Sequence, residues 1–134
     1  MIVYETTLEG VREGDLVGFF DGWPTPPSPA KHLRLLHGSD FVVLAREAES
    51  GRVVGFATAI GDGVLSAFIP LLEVLPEYQR LGIGSELVRR MLDLLADTYM
   101  VDLCCDEDLV EFYERFEMSR WVGMGIRNRG ALVE

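Results

Sequence analysis

A glycine-containing turn between an apolar strand and an amphipathic helix constrains this chain more than any other feature. The stretch PEYQRLGIGSELV covers 76–88, and Gly82 and Gly84 lie between an apolar run ending at Leu75 and a helical pattern beginning at Ser85. Glycines in such a connection often allow consecutive backbone N–H groups to surround an anion at the positive end of a helix. From the glycines alone, a tight turn without a ligand is an equally good explanation.

Two common phosphate-binding motifs do not fit this turn. A P-loop requires Lys and then Ser or Thr after its second glycine, whereas Gly84 is followed by Ser85 and Glu86. The dinucleotide-binding fingerprint requires three glycines after a first parallel strand, and this turn follows a predicted strand meander. Successive N–H groups from Arg80 to Ser85 instead predict a concave site that suits a pyrophosphate.

The hydrophobic pattern predicts a single α/β domain over residues 1–134. Alternating or continuous apolar runs predict strands at 1–8, 41–47, 53–60, 64–75 (interrupted by Pro70), 100–105 and 120–127. Helical periodicity predicts helices at 9–20, 28–36 and 85–96 and one that begins at Asp106, with Ser28 and Asp106 as N-caps. The proline-rich stretch DGWPTPPSP (21–29) predicts a stiff loop between the first two helices.

Composition excludes several classes of function. The net charge of −10 argues against nucleic acid as a partner, because phosphate contacts require clustered Lys and Arg. No apolar run is long enough for a membrane span, and the N-terminus has no secretory pattern, so the cytoplasm is expected. The two cysteines and two histidines are interpreted as structural, with no metal site. These are Cys104, Cys105, His32 and His37.

The segment LEVLPEYQRLGIGSELV resembles the acetyl-CoA-binding motif of the GNAT superfamily of N-acetyltransferases. Pro76, Gln79, Gly82 and Gly84 occupy the defined positions of that motif. Downstream, DEDLVEFYERFEM is similar to the fourth-helix motif of the family, which carries a tyrosine near its end, here Tyr113. The resemblance implies a GNAT-like α/β fold with a mixed, largely antiparallel central sheet of about six strands, flanked by about four helices.

The resemblance also implies acetyl-CoA as the co-substrate. In the family, backbone groups before the turn pair with pantetheine, and the turn amides hold the pyrophosphate. The implied cofactor-binding residues are Leu72, Val74, Gln79, Arg80, Leu81, Gly82, Ile83, Gly84, Ser85 and Asp106. The family often has Asn where Asp106 stands, and an acid is a poorer neighbour for phosphates.

The implied reaction is direct attack of a primary amine, on a small molecule or a lysine side chain, in a ternary complex. The Val74 N–H matches the family's oxyanion donor, and Tyr113 is a candidate general acid whose alternative role is a core tyrosine. Glu73 is a candidate base or acceptor contact, with a solvent-facing strand end as the alternative. The acceptor site is expected at Asp21, Trp23, Thr25 and Glu73, with packing as an anchor of its loop as the favoured alternative role of Trp23.

Two features of the C-terminal region depart from the family pattern. The family commonly has Gly-Phe at the end of the fourth helix, where this chain has Glu117-Met118. It usually ends in two strands, and the short stretch after Met118 leaves room for one, so the other is missing or comes from a partner subunit in a homodimer. A non-catalytic acyl-CoA-binding module is the rival interpretation of the whole chain. A nucleotide-binding domain is a third, which would require ATP to compete with CoA for the turn.

Overall fold

The computed structural model describes residues 1–133, which form one five-stranded mixed sheet in the order β1-β2-β3-β4-β5. The first four strands pair antiparallel, and β5 pairs parallel with β4. The strands are β1 Ile2–Glu5, β2 Phe41–Glu47, β3 Val53–Gly61, β4 Ser66–Val74 and β5 Met100–Asp102. The predicted mixed, largely antiparallel α/β architecture is therefore confirmed, with five strands in the described part of the chain in place of about six.

Three α-helices accompany the sheet in the described residues, in place of about four. They are α1 Pro29–Gly38, α2 Ile83–Leu94 and α3 Val110–Glu114. As predicted, the Ser28 hydroxyl caps α1 by accepting a hydrogen bond from the Lys31 N–H at 3.1 Å. No helix of residues 1–133 has the length and apolar character needed to cross a membrane.

The predicted helix over 9–20 is wrong. This stretch contains only one 3-10 turn, Glu13–Leu16, and otherwise follows an irregular path. Gly10 and Gly18 have φ values of +77° and +101°, which an α-helix cannot contain. The apolar residues that suggested a helix are nevertheless buried, because the loop folds them onto the sheet.

The prediction of a strand over 120–127 is also wrong for the chain as described. These residues pair with no strand of the described structure, and they run as irregular chain after α3. Trp121, Val122, Met124 and Ile126 are 80–99% exposed.

Helix α2 packs so closely on the sheet that it fixes the position of the glycine turn. Its buried side chains include Ile83, Leu87 and Met91, each contributing about 1.5–3 kcal/mol of burial free energy. Gly55 on β3 permits the contact, because a Cβ there would lie 3.1 Å from Leu87 Cδ1 and 3.3 Å from Ile83 Cγ2. The N-terminus of α2 is thereby held against the end of β4.

On another part of the sheet, an aromatic cluster holds the loop before the proline-rich stretch. Phe19, Phe20 and His32 pack around Phe56 of β3 with ring centroids 4.5–6.0 Å apart. His32 is 1% exposed, and burial lowers its pKa to about 4, so its ring is neutral near pH 7. This cluster positions the backbone of Phe20 beside β4.

Strand β4 continues through Pro70 with a bulge, where the sequence predicted an interruption. Thr58 pairs with Leu71 and Ile60 with Phe68, so two residues of β4 lie opposite one residue of β3. A bulge accommodates a proline because the missing N–H is not required by the ladder. Pairing between β4 and β5 ends at the Phe68–Asp102 pair, and beyond it β5 ends while β4 continues to Val74. The separation opens a cleft.

Candidate active site

The cleft between the diverging ends of β4 and β5 has a volume of about 380 Å³. Strand β4 supplies one wall, and the chain that follows β5, together with the start of α3, supplies the other. The lining residues are Trp23, Ile69, Pro70, Leu71, Leu72, Glu73, Leu103, Cys104, Cys105, Asp106, Leu109, Tyr113 and Arg127. The cleft therefore brings together Glu73, Leu72, Trp23, Tyr113 and Asp106 from the predicted site.

The backbone groups of Leu72 and Val74 face the open edge of β4. The Leu75 N–H donates to the Val54 carbonyl at 2.9 Å, which makes the Gly55–Val74 pair a non-hydrogen-bonded pair of the antiparallel ladder. In such a pair, the N–H and C=O of each residue point away from the partner strand. The alternation repeats at Leu72, so both residues direct their N–H and C=O groups away from β3.

The turn after β4 combines two left-handed residues with a side-chain clamp. Arg80 and Gly82 have φ values of +66° and +85°, and alternation of left-handed and other conformations turns successive N–H groups toward one concavity. Gln79 Nε2 donates to the Val74 carbonyl at 3.0 Å, and this hydrogen bond ties the turn to the end of the strand. Arg80 and Leu81 have exposed side chains.

The start of α2 is open and locally free of unpaired negative charge. At Gly84 a Cβ would meet nothing closer than Val74 Cγ2 at 3.8 Å, so the protein itself does not require glycine there. Glu86, in the first turn, forms ion pairs with Arg89 and Arg90, which lower its pKa to about 2. The first N–H groups of the helix, at Ile83, Gly84 and Ser85, have no partner within α2, and they reinforce the positive helix end.

Tyr113 lies at the cleft with a buried ring and a hydroxyl that has no hydrogen-bond partner in residues 1–133. Burial, and to a smaller extent the neighbouring Cys105 thiol, raises the pKa of Tyr113 to about 12. The phenol is therefore protonated at neutral pH and can donate a hydrogen bond or a proton into the cleft.

Glu73 is half-buried and is held by the loop before the proline-rich stretch. The Phe20 N–H donates to Glu73 Oε1 at 2.9 Å, and Phe20 itself has a left-handed φ of +63°. Burial raises the pKa of Glu73, the Phe20 hydrogen bond opposes that shift, and the charge of Asp21 adds to it. The solvent-facing alternative for Glu73 does not describe this position, because the carboxylate is oriented by a defined donor at the cleft.

The predicted acceptor residues are only partly gathered at the cleft. Trp23 borders it, 40% exposed, and also packs edge-on against Phe20 at 5.0 Å, so it both anchors its loop and presents a face. Asp21 is close enough to affect the Glu73 carboxyl, whereas Thr25 is exposed and does not border the cleft.

Asp106 stands at the cleft without the side-chain cap that the sequence predicted. It precedes the 3-10 turn Glu107–Leu109, and its carbonyl accepts from the Leu109 N–H at 2.9 Å, but its carboxylate makes no capping hydrogen bond. Asp106 is exposed and borders the cleft.

Sequence reasoning missed three polar side chains of the cleft, namely Cys104, Cys105 and Arg127. The cysteines, interpreted as structural, are free and exposed. Their location follows from a rule that the sequence could have supplied: residues immediately after a parallel strand lie at the edge of the sheet where ligands bind. Arg127 carried no such signal, because it was assigned to a strand that does not form.

Comparisons with known proteins identify what this arrangement is similar to. The family model described as "Acetyltransferase (GNAT) family" matches residues 8–118. A solved structure from Deinococcus radiodurans R1, assigned as an acetyltransferase, is 51% identical with a TM-score of 0.92, covering 95% of this chain and 88% of that one.

Two curated relatives agree with that match. An uncharacterized N-acetyltransferase, ycf52, of Porphyra purpurea is 29% identical over 84% of this chain and 68% of its own length. The glucosamine 6-phosphate N-acetyltransferase of Schizosaccharomyces pombe is 29% identical over 63% of this chain and 83% of its own length.

Proposed function

Because this chain belongs to the GNAT family of acetyltransferases, and is thus an acyltransferase, we propose that it moves the acetyl group of acetyl-CoA to a primary amine. The acceptor is a small molecule or a lysine side chain, attacked directly in a ternary complex. The observation that carries the proposal is the end of β4, where Leu72 and Val74 direct backbone groups away from β3 just before a turn with left-handed residues at Arg80 and Gly82.

The residues present fit acetyl-CoA in two respects. The N–H groups from Arg80 to Ser85 are unsatisfied within residues 1–133 and lie at the positive end of α2, which suits a pyrophosphate. The acid in the first turn of α2, Glu86, is neutralised by its ion pairs. The outward N–H and C=O groups of Leu72 and the outward N–H of Val74 suit a pantetheine chain, while the Val74 carbonyl accepts from Gln79 Nε2. Gln79 would hold the turn through Val74, Leu81 and Ile83 would contribute backbone amides, and Asp106 would border the cofactor from the opposite wall.

Three groups of the chain would then divide the chemistry. Acetyl-CoA supplies an acyl group activated as a thioester. The Val74 N–H is preorganised to donate to a carbonyl oxygen on which negative charge develops, and Glu73 would accept a proton from the attacking amine, directly or through water. Tyr113 would protonate the leaving sulfur, since burial keeps its hydroxyl protonated.

Charge and aromatic surface support an amine as the acceptor. Glu73 and Trp23 border the cleft, and Asp21 is close enough to act on the Glu73 carboxyl. Carboxylates and aromatic faces both attract an ammonium group. The chain's net charge of −10 would steer a cation toward it. The relative named for glucosamine 6-phosphate supports an amine in general, and Thr25 stays a proposal for an acceptor contact outside the cleft lining.

The test is the Tyr113→Phe variant in an assay of CoA release with a panel of primary amines. We expect kcat/KM to fall by roughly 10²-fold or more, because a proton donor is lost, while the Kd for acetyl-CoA changes little. Tyr99→Phe is the matched control, because Tyr99 is 84% exposed and away from the cleft. Unchanged turnover in Tyr113→Phe would remove this residue from the mechanism.

A further inference from the structure

A second depression, the acidic groove, lies on the sheet beside the cleft. Its volume of about 510 Å³ falls within the range of about 300–1,000 Å³ that is typical of small-molecule sites. None of its lining residues belongs to the active site proposed above. The lining includes three aspartates and three apolar side chains, namely Asp40, Asp62, Asp102, Ile60, Phe68 and Met100.

The acidic groove opens on the same face of the sheet as Glu73. Alternate side chains of β3 share a face, so Phe56 and Ile60 point the same way. Their partners across the ladder are Glu73 and Phe68, which therefore also share that face, on either side of the bulge. Asp102 of β5 pairs with Phe68 and adds its side chain to the same face.

The acidic groove and the cleft adjoin along both strands. On β4 the lining of the groove ends at Phe68, and the lining of the cleft begins at Ile69. On β5 the groove ends at Asp102, and the cleft continues from Leu103. Ile60 and Phe68 are 46% and 37% exposed, so this face of the sheet is uncovered where the groove lies. A ligand can thus extend from the cleft into the groove along one open face.

The acidic groove combines apolar surface with negative charge that no basic side chain offsets. Asp62 is committed to the turn after β3, where its carboxylate accepts hydrogen bonds from three consecutive N–H groups. Asp40 accepts a backbone hydrogen bond through one oxygen, and the Asp102 side chain has no partner in residues 1–133. The surrounding segments 53–79 and 96–108 contain no Lys, Arg or His. The groove therefore suits a cation carried on an apolar chain.

The distance between Glu73 and the acidic groove sets the length of a ligand that occupies both. Glu73 and Phe68 are five residues apart on β4, which corresponds to roughly 15 Å at the rise of a strand that contains a bulge. Arg127 borders the cleft but not the groove. A linear molecule with an amine at each end and an aliphatic chain between them matches this spacing and these charges.

Given the proposed function, on which this step rests, we infer that the acceptor is a linear aliphatic diamine or polyamine that binds with one amine beside Glu73 and a second, charged amine in the acidic groove between Asp40 and Asp102. The transfer itself is unchanged. The C–N bond forms at the amine beside Glu73, the C–S bond of acetyl-CoA breaks, and the distal ammonium takes no part in the chemistry.

The test is acetylation of linear α,ω-diamines of increasing length, each compared with the monoamine of the same carbon number. We expect diamines to exceed their monoamines in kcat/KM by roughly fivefold to tenfold once the nitrogens are roughly 15 Å apart, mainly through a lower KM. Shorter diamines should behave as monoamines. The pairing by carbon number removes the contribution of the apolar chain from the comparison.

Asp102→Asn should abolish the advantage of the long diamine and leave turnover of monoamines unchanged. Asp97→Asn is the matched control, because Asp97 is exposed just before β5 and borders neither the groove nor the cleft. It should keep the advantage in full. Thermal unfolding of both variants verifies that they are folded.

Calorimetric titration of the wild type with the long diamine, in the presence of CoA, separates this inference from the proposed function. If no amine is acetylated, the proposed function fails, but diamine binding that Asp102→Asn weakens still supports the groove as a site for the second cation. Absence of diamine binding would overturn the inference. So would equal kcat/KM for diamines and monoamines at every length, or a long-diamine advantage that survives in Asp102→Asn. These last two results leave acetyl transfer to amines standing.

Discussion

At the scale of single residues, the orientation of the Glu73 carboxylate depends on a neighbour with a strained backbone. Glu73 is oriented by the N–H of Phe20, whose left-handed backbone costs on the order of 1–2 kcal/mol for a residue with a Cβ. The aromatic packing of Phe20 against His32 and Phe56 keeps that conformation in place. Burial then raises the pKa of Glu73 toward the range in which a carboxylate is a useful base.

We predict that Glu73→Gln lowers kcat/KM by roughly 10²-fold and abolishes the acid limb of its pH profile. The folded-state pKa of Glu73 is raised, so the carboxyl favours folding when protonated, below its unfolded pKa, and loses that contribution as pH rises through its folded pKa. At pH 7–8 the glutamine therefore should not lower Tm. Steady-state kinetics against pH, with Tm at the same pH values, measure both effects.

Glu77→Gln is the matched control for this variant. Glu77 is exposed on the turn after β4 and forms only a surface ion pair, 3.7 Å, with Arg52. Its pH profile should be that of the wild type. An acid limb that survives in Glu73→Gln would assign the base to another group.

At the scale of elements, the sequence predicted those whose pattern is local. Strands β2 and β3, helix α1 with its Ser28 cap, and the glycine turn into α2 all carry periodicity or turn chemistry within a few residues. The prediction of a helix over 9–20 was wrong because its apolar residues reach the sheet through an irregular loop. Burial of these residues in the core does not require them to be helical. Segment 120–127 failed because a strand needs an edge to pair with, which its own sequence cannot specify.

The site residues divide in the same way, into those with a local sequence pattern and those that depend on distant contacts. Glu73 and Tyr113, which a motif or an alternation pattern predicted as site residues, both border the cleft, and their catalytic roles stay predictions. The Phe20 hydrogen bond to Glu73 spans 53 residues, and the cleft position of Arg127 depends on a segment without regular structure, so neither could be read from local pattern.

The two glycines of the turn should respond differently to alanine. Gly82 has a left-handed φ of +85°, so Gly82→Ala should lower the free energy of unfolding by about 1–2 kcal/mol. At Gly84 the protein has room for a Cβ, and alanine is a better helix former than glycine. Gly84→Ala should therefore leave the free energy of unfolding unchanged or raise it by up to about 1 kcal/mol. If acetyl-CoA approaches the backbone there, its Kd should rise on the order of tenfold, ~1.4 kcal/mol.

Denaturant unfolding and calorimetric titration of the two variants measure these effects. Gly14→Ala is the control. A Cβ at Gly14 would meet nothing within 4 Å, and Gly14 lies far from the turn in sequence. An unchanged acetyl-CoA affinity in Gly84→Ala would mean that no ligand contacts this part of the backbone.

At the scale of the whole molecule, we propose that an acidic chain binds an anion at the glycine turn. The net charge is −10, so phosphate binding at the turn has to come from oriented backbone amides rather than from the overall field. The same acidic surface favours a cationic acceptor. We therefore expect the anion at the backbone amides of the turn that follows β4 and the cationic acceptor beside Glu73 at the cleft.

The most direct test of this account is calorimetric titration of the folded protein with acetyl-CoA, with ATP as the control ligand. The account predicts saturable binding of one acetyl-CoA per chain, with ATP binding much more weakly because it has no pantetheine to pair with Leu72 and Val74. No binding of acetyl-CoA, or equal binding of ATP, would contradict it and reduce Gly82 and Gly84 to components of a structural turn.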